Sequence, residues 1–166
     1  ASLAAHVQDP ARRTRVQAVF EQHRWHGIAR LGGLRAQVIH NDCNPDNVLV
    51  SAGDRESVSG IIDFGDMVHA PLVNDIAVLT AYQVVGAVEP VDAACELVGA
   101  YHAENALEAG ELDVLPDLIA LRLAMSLCIG AWRGKQHPAN ADYILGEHED
   151  YLQTLAGWTA LDSRDI

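Results

Sequence analysis

Residues 40–47 read His40-Asn41-Asp42-Cys43-Asn44-Pro45-Asp46-Asn47, directly after Val38-Ile39 and directly before Val48-Leu49-Val50. Two aspartates, three asparagines and a histidine surround one proline. Such side chains compete with the backbone for hydrogen bonds and sit poorly inside a helix or strand. The octet therefore reads as a loop between two short strands, at 36–39 and 48–50. A turn signal at Gly53-Asp54 follows, then a third strand at 58–62 that Asp63-Phe64-Gly65-Asp66 ends abruptly. The second and third strands form a β-hairpin with a longer loop, over 51–57.

Outside this region the pattern is helical. Residues 11–28 carry Val16, Phe20, His23 and Gly27 at helical spacing, and a glycine turn at 32–33 follows. Asn74 or Asp75 is placed to cap a helix running to about Val85. Pro90 suits the first turn of the next helix, which runs to about Leu107. Residues 114–133 are apolar on nearly every face, as expected of a centrally buried helix. Ile144, His148, Tyr151, Leu155 and Trp158 mark a last amphipathic helix. No repeat or linker interrupts the chain. The expectation is one α+β domain over residues 1–166, mostly helical, with a small hairpin carrying polar loops.

The composition excludes some functions. The chain has 166 residues, 49% hydrophobic and 20% charged, with a formal net charge of -12. That charge disfavours nucleic-acid binding and attracts small cations. The opening lacks a signal-peptide pattern, and the apolar stretches read as too short and too interrupted to span a bilayer. Cys43, Cys95 and Cys128 form no CxxC and read as reduced thiols of a cytoplasmic protein. Lys135 is the only lysine among the 11 basic residues. The first residue is Ala rather than Met, which reads as a fragment or a processed piece.

Three chemistries compete for the octet. Asp42, Asn44 and Asp46 have the alternate spacing of a calcium loop, but Asn47 stands where that loop needs Gly and Gly53 where it needs Glu. His40, Asp42 and Cys43 are transition-metal ligand types, yet neighbours on an extended loop point apart. The third is phosphoryl transfer, whose protein-kinase form is H-R-D-x-x-x-x-N followed by D-F-G. Here His40-Asn41-Asp42 is followed by Asn47 at that spacing, and a strand–turn–strand leads to Asp63-Phe64-Gly65. Asp42 supplies a carboxylate for the proton of an attacking hydroxyl. Asn47 and Asp63 supply the hard oxygens magnesium prefers, and the hairpin returns them to one end. His40 reads as stiffening the loop.

The stretches V-I-H-N-D-C-N-P-D-N-V-L-V and G-I-I-D-F-G-D-M, with Asp75-Ile76-Ala77 beyond them, resemble the aminoglycoside phosphotransferase and choline kinase superfamily. Members share a protein-kinase-like fold and phosphorylate small-molecule hydroxyls with ATP and magnesium. The later segment from Leu121-Arg122-Leu123 to His137-Pro138 resembles the hydroxylysine kinase branch, which includes domains fused to class III aminotransferases. The resemblance implies that Asp42 is the catalytic base, that Asn47 and Asp63 hold magnesium and that Asp75 braces the loop. Asp66 would either face the substrate's amine or sit as a solvated turn residue. Arg122, in an otherwise apolar helix, demands a carboxylate partner, and contact with substrate stays open. No A-P-E follows D-F-G, which favours a small-molecule kinase over a protein kinase.

Two parts of such a kinase are not legible: a Gly-rich loop over the phosphates and a strand lysine. The chain is therefore expected to be the carboxy-terminal lobe alone, inactive by itself and exposing an apolar face through which it self-associates. The expected substrate is a small cationic hydroxylated amine, hydroxylysine first. A non-catalytic kinase-like scaffold and a magnesium-dependent phosphohydrolase are the alternatives.

Overall fold

The computed structural model describes residues 3–23 and 27–160. Its elements in chain order are α1 (Pro10–His23), β1 (Ala36–Ile39), β2 (Val48–Ser51), β3 (Asp54–Ile61), β4 (Val68–Pro71), α2 (Val73–Gln83), α3 (Pro90–Glu104), α4 (Ala109–Gln136), α5 (Ala141–Leu145) and α6 (His148–Trp158). The result is a mostly helical α+β lobe. The expected helix at 11–28 is α1 as far as His23, and residues 24–26 lie outside the described residues.

The centre is α4. Val114, Leu115, Ile119, Leu123, Leu127 and Cys128 point to different sides of it and are all buried. A helix apolar on so much of its circumference needs neighbours on several sides. It finds them in α1, α2, α5 and α6, and α3 packs on α2 and α6. At 28 residues α4 is long and apolar enough to cross a membrane by length and composition, contrary to the expectation from sequence; here it serves as the core helix. It also starts earlier than expected. Glu108 and Glu111 form a reciprocal capping box, with the Glu108 N–H donating to Glu111 Oε2 at 2.7 Å. A glutamate in the cap position and Gly110 in the first turn hide that start from a sequence reading.

The strands make two separate antiparallel pairs, β1 with β4 and β2 with β3. Strand β4 was not anticipated. It returns the chain after Asp63-Phe64-Gly65 alongside β1, with Val38 opposite His69 and Ile39 opposite Val68. The second pair turns tightly at Ala52-Gly53 instead of through the long loop expected over 51–57. Polar Arg55, Glu56 and Ser57 belong to an exposed strand, and the pairing register shifts between Leu49 and Ser51 to absorb the extra residues.

Neither Asn74 nor Asp75 caps α2, a further correction. The helix begins at Val73 after Leu72, which is itself in helical conformation, with no side-chain cap. Asp75 lies in the first turn, where its carboxylate faces the octet.

Candidate active site

The octet is tied down at both ends by one residue. The Ile62 N–H donates to the Asn47 carbonyl at 3.0 Å. The Ile62 carbonyl lies 2.9 Å from His40 Nε2. A carbonyl only accepts, so His40 carries its proton on Nε2, which leaves Nδ1 to accept from the Asp42 N–H at 3.4 Å. The His40 ring also meets Phe64 edge-on, at 5.2 Å between centroids. Asp63, the next residue along, is therefore held at the Asn47 end of the hairpin.

Backbone geometry in the loops is unusual at two non-glycine positions, Asn41 (φ 64) and Asp63 (φ 60). Asn and Asp tolerate this left-handed region better than most residues, and an isolated residue there marks a constrained site. Asp75 stabilises the first. Its Oδ1 accepts from the Asn41 N–H at 2.8 Å, and its Oδ2 accepts from the His40 N–H at 3.4 Å. Asp63 accepts from the Gly65 N–H at 3.3 Å.

Asp42 is enclosed by donors. Its Oδ2 accepts from Asn44 Nδ2 at 3.1 Å and from Asn47 Nδ2 at 3.4 Å. Its Oδ1 accepts from Arg122 Nη2 at 3.0 Å and from the Tyr82 hydroxyl at 3.4 Å. The same Arg122 nitrogen donates to Tyr82 Oη at 2.9 Å, and the guanidinium carbon stands 5.3 Å from the Tyr82 ring centroid. The carboxylate partner that Arg122 demanded is thus Asp42. Tyr82, on α2, escaped the sequence reading, because a tyrosine in an apolar helix gives no signal beyond its hydroxyl's need of a partner. Burial, above all, pushes the phenol of Tyr151 on α6 up, and Tyr82 and Glu147 add to that while Arg122 opposes it.

Asn44 caps the turn Pro45–Asn47 through its Oδ1, which accepts from the Asp46 and Asn47 N–H groups. With its amide on Asp42 as well, both ends of Asn44 are committed inside the loop, against a calcium role. Burial pushes the Cys43 thiol up, and the Asp75 and Asp42 carboxylates push it further. No group of three or more His, Cys, Asp or Glu able to hold a metal occurs among the described residues.

Magnesium asks for less: a hard oxygen or two, with water completing the shell. Asn47, 7% exposed, directs Nδ2 onto the Asp42 carbonyl at 2.8 Å, so its other terminal atom is a carbonyl oxygen of the required kind. Asp63 is exposed and offers a carboxylate on the adjoining loop. The donor set fits the ion. Asp66 is exposed in the turn Phe64–Asp66. A cavity of about 970 Å³ lies elsewhere, lined by His23, Val98, Leu115 and Trp158.

The profile of the phosphotransferase enzyme family, APH, matches residues 1–115. Hydroxylysine kinase of Mus musculus is 27% identical over 152 residues, 88% of this chain and 39% of that protein. Hydroxylysine kinase of Danio rerio is 27% identical over 139 residues, 82% of this chain and 39% of that protein. Homoserine kinase of Nitrobacter winogradskyi is 44% identical over 89 residues, 50% of this chain and 25% of that protein. The chain thus spans two fifths or less of the length of these relatives. No solved structure matches it significantly.

Proposed function

The chain belongs to the phosphotransferase enzyme family, and from that premise we propose that the full-length protein transfers the terminal phosphoryl group of ATP to a hydroxyl of a small amine-bearing acceptor. The names of the relatives narrow the proposal to hydroxylated amino acids, hydroxylysine first and homoserine second. What carries the reading is the double tie of Ile62 to His40 and Asn47, with Asp63 the next residue along.

In this reading Asp42 orients the acceptor hydroxyl and takes its proton as that oxygen bonds to the terminal phosphorus and ADP departs. Asn47 Oδ1 and the Asp63 carboxylate hold magnesium, which when bound supplies positive charge against the phosphate oxygens. Asp75 and His40 brace the loop. Asp66 receives the acceptor's ammonium group, and the net charge of -12 favours capture of such a cation. The chain acts as the carboxy-terminal catalytic lobe of a cytoplasmic protein. A nucleotide-binding lobe belongs to the rest of that protein, so the chain alone turns over slowly or not at all.

Asp42→Asn in the full-length protein tests the assignment. Acceptor-dependent turnover should fall about 100- to 10,000-fold, with nucleotide affinity nearly unchanged. Turnover equal to that of the wild type would remove Asp42 from the base role.

A further inference from the structure

We propose that Arg122 and Tyr82 are positioning residues that together fix the plane of the Asp42 carboxylate, so that one of its oxygens stays turned toward an acceptor hydroxyl. The inference rests on the kinase reading above and adds residues that no loop motif contains. Arg122 lies beyond the segment that the family profile matches.

Without α2 and α4 the carboxylate would be held on one side only. Asn44 and Asn47 both donate to Oδ2, from within the same loop. Rotation about the Cβ–Cγ bond would exchange the two oxygens against those donors at little cost. Arg122 and Tyr82 supply the second side, with both donors on Oδ1. The two distances differ usefully. Arg122 holds Oδ1 at 3.0 Å, whereas the Tyr82 hydroxyl stands off at 3.4 Å, a weak contact. An acceptor hydroxyl can therefore replace the tyrosine contact while the guanidinium keeps its own. Tyr82 remains fixed meanwhile, because its oxygen accepts from Arg122 at 2.9 Å.

The arm is also stiff. The Arg122 and Asp42 side chains are 15% and 23% exposed, so water screens the pair only partly. The helix carrying Arg122 is the buried centre of the lobe. Arg122 Nε is buried without a hydrogen-bond partner among the described residues, so the head is aimed through Nη2. A lysine keeps the charge, but its single ammonium lacks the planar fork and the ring stacking.

The test compares wild-type full-length protein with Arg122→Lys, Tyr82→Phe and the double variant, measuring kcat, acceptor KM, nucleotide affinity and melting temperature. For Arg122→Lys, kcat should fall about 100-fold, with KM and nucleotide affinity changed less than about threefold. Tyr82→Phe should lower kcat by a smaller factor, and the double variant should be no slower than Arg122→Lys, because the two act as one unit. If Arg122→Lys fails to fold, Tyr82→Phe, which keeps the ring, carries the test, and an unchanged kcat in it overturns the proposal. A raised KM with kcat preserved in Arg122→Lys overturns it too, since the guanidinium would then bind the acceptor. Absence of acceptor-dependent turnover in the wild type defeats the kinase reading itself and the positioning role with it. That failure is seen before any variant is made.

Discussion

Glu111 is fully buried, and its carboxylate grips Arg35 through two nitrogens, Nη2 at 2.6 Å and Nε at 3.0 Å. Arg35 directly precedes β1, so the pair ties the strand leading into the octet to the start of α4. The Arg35 hydrogen bonds, helped by the Glu108 N–H, hold the Glu111 carboxyl below the usual range against the opposing effect of burial. A depressed folded-state pKa gives stability that is present above the unfolded value and lost as pH falls through the folded one. Glu111→Gln should therefore cost about 1–2 kcal/mol at neutral pH. The gap from wild type in urea titrations should close below about pH 4. A gap that stays constant down to acid pH would show that charge is not what Glu111 contributes. Residues of this kind differ in how far sequence reveals them. Arg122 announced a carboxylate partner by its place in an apolar helix, and Asp42, Asn47 and Asp63 stood out by spacing. Tyr82 did not, because its role comes from two helices meeting and not from its own neighbours. Local sequence offered Asp75 only as a cap, and a bracing role came from the resemblance alone, because the backbone N–H groups it serves lie 34 and 35 residues away.

Among the elements, α4 was legible because apolar side chains on nearly every face admit only a buried helix. Its Leu123 is fully buried, and Leu123→Ala should destabilise the lobe by about 2–5 kcal/mol. A loss under about 1 kcal/mol in chemical denaturation would place α4 at the edge of the core instead. Strands were less legible. β1 and β2 flank the octet and show apolar runs. β4 is Val-His-Ala-Pro, whose strand character comes wholly from pairing with β1. The polar half of β3 lies in the irregular stretch of the hairpin, where the register with β2 shifts. Pairing across 30 or so residues is a tertiary fact that local propensity does not carry. The consequence is functional, because each loop of the site joins a strand of the local hairpin to a strand whose partner is distant in sequence.

For the whole molecule, the notable feature is the apolar surface on the two strand pairs and the turn between β3 and β4. Val38, Val50, Val58, Ile61, Phe64 and Met67 are all exposed, Val58 to 63% and Phe64 to 59%. Surfaces of this kind are usually covered. The 166-residue chain alone should therefore self-associate in sedimentation velocity as concentration rises, and Val58→Glu together with Phe64→Glu should return it to a monomer. A wild-type chain that stays monomeric at high concentration would contradict this. Arrangement and surface were read from sequence as one helical lobe with an apolar face; which residues make up that face was not, since exposure depends on how the strands pair.

The central claim is that Asp42, Asn47 and Asp63 form one phosphoryl-transfer site. Phosphorus NMR of the full-length protein mixed with ATP, magnesium and hydroxylysine, homoserine or related amino-alcohols tests it most directly. The account predicts a new phosphate-monoester resonance with at least one acceptor, absent without magnesium and nearly abolished in Asp63→Asn. No monoester with any acceptor, or undiminished product from Asp63→Asn, would contradict it.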